Sequence, residues 1–425
     1  MNPTVIISGF LLLASCVKCD TEGSGGNVLL LLNQNLLRSL EGQSGLPNPS
    51  VHLALRLSGT HNLATESLYL NRIKNELHQD IQSRLSSLKA VAGRLALYTL
   101  ALKASCYDLS TVTFSVGDRR ESLLTHLKKQ MEDEKEHVTH SHRPLTNYYQ
   151  YSLGVLALCV SGVRLNVHVS NKLIRAVAHE RFNHGESESV DTYAMAGMAL
   201  QCVKDSGLYQ ETSELHAALS KIKLKLLASQ RQDGHIGNEF STGLAVQALL
   251  AMGHLLAEDS AAVEAMRTAV KDNKYHNPMA MSQVLPALQL KSYLSVKNKD
   301  CLNEDDTLVL EPLDPVLRLP VLSTVAVTVE VVLSSGASAL YSLAVPQGSS
   351  VLDALHLLQG KDAGFKFQTE SSLWGPFLSV VNGEMARQSD RRYWRVSSDG
   401  VGLNQSVGDF KIEAAQRITI ENTTY

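Results

Sequence analysis

Three glycines, Gly154, Gly197 and Gly243, lie 43 and 46 residues apart, each in a run of small and aliphatic residues. The runs are Leu153 to Leu158, Ala196 to Leu200 and Thr242 to Leu249, and Ser282 to Leu288 continues the series. A period of this size is about one helical hairpin, and such units must stack to bury their apolar faces. Apolar residues at three- and four-residue spacing predict helices over Leu95–Leu102, Leu153–Val160, Ala194–Val203 and Leu244–Leu255. Each follows a polar stretch: Thr146-Asn147, Ser189 to Thr192, Asn238 to Thr242, and His276-Asn277-Pro278. The repeat therefore puts a polar cluster at the same end of each inner helix, where orphan backbone N–H groups also point. Taken singly, Thr146, Asp191 and Ser241 read equally well as N-caps. As a set they read as a ligand-facing rim.

From Val325 the period changes. Val alternates through Val325–Val331, which predicts a strand with one buried face. Ala339–Val345, Phe365–Glu370 and Arg417–Ile420 read as further strands, and Val351–Leu358 as a helix capped by Ser349-Ser350. Between the halves, Cys301 to Pro320 is acidic, contains Pro312, Pro315 and Pro320, and reads as a linker. Trp374 and Trp394 are the only tryptophans, and both fall in loop-like sequence. The expected fold is mostly α: an N-terminal domain of helical hairpins over residues 20–300, a linker over 301–322, and a small α+β domain over 323–425.

Residues 1–19 read as a signal peptide, because Thr4–Val17 is an apolar run followed by polar Gly/Ser sequence. Cleavage between Ala14 and Asp20 is expected to remove Cys16, and Cys19 with it when the cut follows residue 19, which leaves Cys106, Cys159, Cys202 and Cys301 for an oxidising compartment. Four cysteines allow three pairings, and the residues alone do not choose one. A secreted, extracellular protein is expected, with no membrane span. The net charge of −3 has both signs interspersed, so no basic stripe offers itself to nucleic acid. Outside Cys16-Val17-Lys18-Cys19 in the leader there is no CxxC, and HExxH, GxSxG and a Gly-rich phosphate loop are missing, which favours a carrier over an enzyme. Asn404-Gln405-Ser406 and Asn422-Thr423-Thr424 are sequons, so Asn404 and Asn422 are candidate glycosylation sites.

The chain resembles the cobalamin carriers transcobalamin, intrinsic factor and haptocorrin. The likeness rests on Leu95 to Tyr98 (LALY), Thr146 to Tyr151 (TNYYQY), Ser189 to Gly197 (SVDTYAMAG), Asp233 to Thr242 (DGHIGNEFST), Ser282 to Leu288 (SQVLPAL) and Ser372 to Pro376 (SLWGP). Their order and spacing span nearly the whole mature chain. The resemblance implies a barrel six helical hairpins deep, with cobalamin held as cargo between barrel and small domain. It implies the pairs Cys159–Cys202 and Cys106–Cys301. It assigns barrel-side contacts to Thr146, Tyr149, Asp191, Asn238 and Gln283, and small-domain contacts to Ser372, Leu373, Trp374 and Tyr393. These side chains suit a corrin rim of amides, which both donate and accept. The resemblance also implies delivery to a cell-surface receptor by a monomer without catalytic activity.

Two positions depart from the pattern. Arg94 stands where transcobalamins carry Gln, and it offers donors only. Where transcobalamin places a cobalt-ligating histidine, this chain has Glu188, with His184 several residues upstream. His184 is accordingly a weak candidate cobalt ligand. Two competing readings are a glycosidase on the same barrel, with Asp191 and Asp233 as its nearest carboxylates, and a receptor-binding module that takes no small ligand.

Overall fold

The structure is a computed structural model. It describes residues 21–424 except 41–46, 86–90, 117–118, 185–186, 208–211, 255–256, 258–259, 276, 311–323, 373–374, 387–391, 404 and 409. The predicted signal peptide lies outside the described residues.

Among the described residues, twelve α-helices form the first domain: α1 (Thr21–Arg38), α2 (Pro49–Leu57), α3 (Leu63–Leu85), α4 (Ala92–Ala104), α5 (Leu123–Ser141), α6 (Tyr148–Val160), α7 (Val167–Ala178), α8 (Val190–Asp205), α9 (Ser213–Ala228), α10 (Glu239–Ala251), α11 (Ala261–Lys271) and α12 (Pro278–Leu288). The even-numbered helices touch one another in sequence, and α12 returns to α2, so they close into a ring. The odd-numbered helices lie outside it, each against two members of the ring, with α1 covering the seam between α12 and α2. This is the expected α/α barrel of six hairpins. Burial follows the layers. All of α2 is buried, and so is α6 from Tyr151 to Val160, whereas α7 buries only the stripe of Val169, Ser170, Leu173, Ile174, Ala176 and Val177. A helix apolar all round belongs inside, and an amphipathic one belongs outside. The predicted helix Leu244–Leu255 ends earlier, at Ala251, where the chain turns toward Gly253.

The repeated glycines do not share one structural role. A Cβ at Gly243 would lie 2.8 Å from the Gln283 carbonyl oxygen, so α10 and α12 meet backbone to backbone. Gly154 and Gly197 instead face side chains of the outer layer, Met131 and Ile222. Two disulfides are formed, Cys106–Cys301 and Cys159–Cys202, with Cα separations of 6.3 and 6.1 Å. The second staples α6 to α8. The first joins the chain after α4 to the chain after α12.

Beside Cys301 the chain is pinned to the barrel. Arg56 on α2 donates to Glu66 at 2.9 Å and to Glu304 at 2.5 Å, and Lys299 reaches Glu304 at 2.6 Å. His61 lies 3.3 Å from Glu66 and 3.6 Å from Glu304. The His61 N–H donates to the Asp305 carbonyl, and Leu308 is buried. Residues 302–310 of the predicted linker thus run along the helical domain.

The same corner holds a buried histidine. His52 on α2 bonds the Ser105 hydroxyl at 2.7 Å through Nε2, while its Nδ1 has no partner. Burial drives its pKa from 6.5 to about 4, with Arg56 helping and Glu66 opposing. The unfolded chain therefore takes up a proton that the folded chain refuses, and stability falls as pH drops from 6.5 toward 4. Linkage puts the loss from this group at about 2 kcal/mol by pH 5. Urea unfolding of His52→Gln is expected to lose about 2 kcal/mol less than the parent between pH 7 and pH 5. Parallel pH profiles would exclude His52 as the cause.

The small domain holds β5 (Thr324–Val332), β6 (Ser338–Pro346), β7 (Ser349–Ser350), α13 (Val351–Lys361), β8 (Phe367–Ser372), β9 (Gly375–Val381), β10 (Glu384–Met385), β11 (Arg392–Ser398), β12 (Val401–Gly402), β13 (Lys411–Ile412) and β14 (Gln416–Thr424). Among the described residues two short hairpins precede them in the barrel: β1 (Thr113–Val116) with β2 (Arg119–Ser122), and β3 (Asn183–His184) with β4 (Ser187–Glu188). The main sheet runs β12-β11-β14-β5-β6, antiparallel except where β14 lies parallel to β5. Val327, Val329 and Val331 face its core, as their alternation predicts. A capping box of Ser350 and Asp353 starts α13.

Two expectations are corrected here. Trp394 is in strand β11, not a loop, and is 6% exposed within the small-domain core. Asn422 is 4% exposed; its Oδ1 accepts from Arg392 at 2.9 Å and its Nδ2 donates to Glu384 at 2.8 Å. With its amide nitrogen buried and bonded, Asn422 offers no glycan acceptor in the folded chain. Asn404 lies outside the described residues.

Candidate ligand site at the barrel rim

The inner helices all begin at one end of the ring. Gly93 near the start of α4 abuts Gln150 near the start of α6, and Gly237 before α10 abuts Val190 at the start of α8. Their N-caps are Asn147 on α6, Ser189 on α8, Asn238 on α10 and Asn277 on α12, each accepting a backbone N–H through its side chain. Thr146, Asp191 and Ser241 are therefore not the caps. Because neighbours satisfy the helix ends, Asp191 and Ser241 are released for other bonds.

Asp191, in the first turn of α8, is the chemically most distinctive of these residues. Ser241 hydrogen-bonds its carboxylate, while Oδ1 is buried with no hydrogen-bond partner. Burial raises its pKa, and the Ser241 bond offsets this only in part. A buried carboxylate oxygen without a donor is costly, and the cost is relieved by any ligand N–H that reaches it. Tyr149 stands nearby in the first turn of α6. Burial, reinforced by the Tyr293 hydroxyl and the Asp191 carboxylate, holds its phenol well above the ordinary range, so it stays a neutral donor.

The remaining predicted contacts divide. Asn238 is at the rim, but its Oδ1 is used by the N–H groups of Phe240 and Ser241. Thr146 is at the rim with its hydroxyl donated to Glu134 at 2.6 Å. Gln283 is deeper, 4% exposed on α12, and its carbonyl accepts from Gln247 Nε2 at 2.8 Å. Arg94 is half-buried in the first turn of α4, at the same end of the ring. Glu188 is ion-paired with Lys225 at 2.6 Å, which draws its carboxylate to the outer layer. His184 closes the β3 strand of the hairpin leading into α8. In the small domain, Ser372 pairs with Gly375 at the end of the β8–β9 hairpin. Leu373 and Trp374, between them, lie outside the described residues. Tyr393 is 41% exposed on β11, on the opposite side of the strand from buried Trp394.

Sequence reasoning missed three residues behind the rim. Glu134 is fully buried on α5 and takes both the hydroxyl and the N–H of Thr146; burial raises its pKa. Gln247 is fully buried on α10 with Oε1 unpartnered, and it also bonds the Tyr293 hydroxyl. A lone Gln inside Gly243 to Leu250 was the available signal. Tyr293 starts a short 3-10 helix, Tyr293–Asn298, which packs against α2, α4, α6 and α8 inside the ring.

Residues 3–321 match the family described as eukaryotic cobalamin-binding protein, and residues 348–424 match a domain family of unknown function. The chain is 36% identical to transcobalamin-2 of Bos taurus over 425 residues, covering 95% of this chain and 94% of that protein. It is 37% identical to transcobalamin-2 of Mus musculus over 390 residues, covering 88% and 87%. The crystal structure of haptocorrin in complex with Cbi superposes with a TM-score of 0.70 at 25% identity, covering 96% of this chain and 99% of that one.

Proposed function

This chain belongs to the eukaryotic cobalamin-binding proteins, and from that membership we propose a secreted, monomeric carrier that encloses cobalamin between its two domains and hands it to a cell-surface receptor. Cobalamin is cargo here, and the family consists of carriers rather than enzymes. The observation that carries the reading is the rim itself, where separate inner helices bring polar side chains to one mouth and Asp191 keeps a buried oxygen unpaired. The amide-bearing edge of a corrin supplies the N–H groups that this oxygen lacks.

Asp191 accepts from a corrin amide, Tyr149 lays an aromatic face and one hydroxyl against the ring, and Gln283 and Asn238 pair with further amides. Thr146 acts by positioning, because its hydroxyl is held by Glu134. Ser372, Leu373, Trp374 and Tyr393 supply the covering wall. Two walls exclude water from both faces of the ligand, and apolar burial of that extent slows escape more than any single polar contact. The two disulfides suit an extracellular setting, and no described helix is long and apolar enough to cross a membrane. His184, upstream of the position where the family's ligand would fall, is a weak candidate to replace water on cobalt. The glycosidase alternative gains nothing from Asp233, which is exposed and paired with Arg231 at 2.9 Å.

The test is to mix purified protein with aquocobalamin, remove free ligand and record the absorption spectrum. One retained corrinoid per chain is expected, and a spectral shift abolished by His184→Ala would put that histidine on the metal. Asp191→Leu is expected to speed corrinoid release about 10- to 100-fold, the size of a lost hydrogen bond to a charged group. No retained corrinoid would overturn the carrier reading.

A further inference from the structure

A second surface lies on the outer layer, away from the rim. Lys135 and Thr139 on α5 face His168, Asn171, Lys172 and Arg175 on α7 across a groove of about 260 Å³. On α7 the cations share one face, since positions 168, 172 and 175 are successive turns of one stripe. No carboxylate lines the groove.

Its charges differ from several cations on the other outer helices. On the next outer helix, Lys221 is paired with Glu180 at 2.9 Å and Lys225 with Glu188. Arg267 on α11 is paired with Glu264 at 2.6 Å. Lys135 itself is held by Glu132 at 2.6 Å. Among the described residues, Lys172 and Arg175 have no acidic partner, although the chain carries more acidic than basic residues. Unpaired cations concentrated in a concave site are a local field that a partner of opposite sign neutralises.

We propose that the α5–α7 groove is a docking surface for an acidic peptide segment of a partner protein. Arg175 offers a planar fork that matches a carboxylate, and Lys172 a mobile point charge one turn away. Asn171 and Thr139, set between the cations, suit a peptide main chain, which presents both N–H and C=O. The groove's small volume fits a few side chains rather than a long polyanion or a flat membrane. The inference does not rest on the carrier reading, because none of these residues belongs to the rim.

The test uses the full-length secreted protein and a fluorescent octaglutamate peptide, with binding read by anisotropy. Binding is expected at about 20 mM salt and is expected to weaken at least tenfold by about 200 mM. Lys172→Glu with Arg175→Glu should weaken it at least tenfold more, while Lys297→Glu with Lys361→Glu, an equal charge change on exposed residues elsewhere, should change it less than twofold. Both variants should unfold at the parent's temperature and retain aquocobalamin equally. Equal losses in the two variants would reduce the effect to net charge and overturn the proposal. So would the lack of any peptide binding, or preferential binding of a heparin octasaccharide that the Lys172/Arg175 variant loses.

Discussion

Replacing Cys106 and Cys301 together by serine is expected to lower the free energy of unfolding by about 5 kcal/mol, the loop-closure value for a cross-link of this length. The bond spans 195 residues, whereas Cys159–Cys202 spans 43. The same relation gives about 4 kcal/mol for the shorter one. The two double variants should therefore both be strongly destabilised, and the Cys106/Cys301 variant should be the worse by about 1 kcal/mol. The reason is geometric. Cys106 follows α4 and Cys301 follows the last barrel segment, so the closed loop holds α5 through α12, four of the six ring helices, and ties the end of the barrel back to its second hairpin. Urea unfolding of the oxidised variants measures the difference. A Cys106/Cys301 variant as stable as the parent would mean that ring closure by packing already does what the bond does.

Arg56→Met is expected to cost about 3–5 kcal/mol, because removing one partner of a buried ion network leaves the others uncompensated. Arg56, Glu66 and Glu304 are each buried, and Arg56 is the cation that touches both acids. Burial alone would raise Glu66 and Glu304. His61 and Arg56 hold Glu66 below the usual carboxylate range, and Arg56 and Lys299 do the same for Glu304. Depressed carboxylates stabilise above their unfolded pKa, and that contribution is lost as pH falls through the lower folded value. Without Arg56 both acids move up, so acid unfolding should begin at higher pH. Adding Glu304→Gln to Arg56→Met should recover part of the loss, since one stranded charge disappears with it. Guanidinium titrations at pH 7 decide this. A loss below about 1 kcal/mol would place the network with exposed ion pairs, which contribute little.

The sequence made the barrel legible because its helices repeat one physical problem. An inner helix must be apolar all round, and its start must satisfy backbone N–H groups; both leave marks in composition and order. Six-fold closure was not a local property. It came only through resemblance, since α2 and α12 are more than 200 residues apart. The polar clusters at the inner-helix starts were legible, but the residues that cap those helices were not separated from their polar neighbours. Asn147 and Thr146 are adjacent and both polar, and only the structure shows that one caps α6 while the other bonds Glu134. Glu134 and Gln247 were hidden for a related reason: a buried polar residue on an amphipathic or apolar helix looks like an exposed one until its neighbours are known. In the small domain, Trp394 looked like loop sequence because strand β11 interleaves it with Tyr393 and Arg395, and alternation over seven residues is a short signal. Asn422 carried a sequon by pattern alone, yet its amide holds β14 to Arg392 and Glu384.

That every inner helix starts at the same end of the ring has an electrical consequence. Each helix N-terminus carries roughly half an elementary positive charge from its aligned peptide dipoles. Converging them makes the mouth electropositive without depending on any lysine or arginine. Cobalamin is uneven in the complementary sense, with neutral amides around the corrin and a single phosphodiester on its nucleotide arm. A phosphodiester brought to that mouth meets a favourable backbone field, and neutral amides do not.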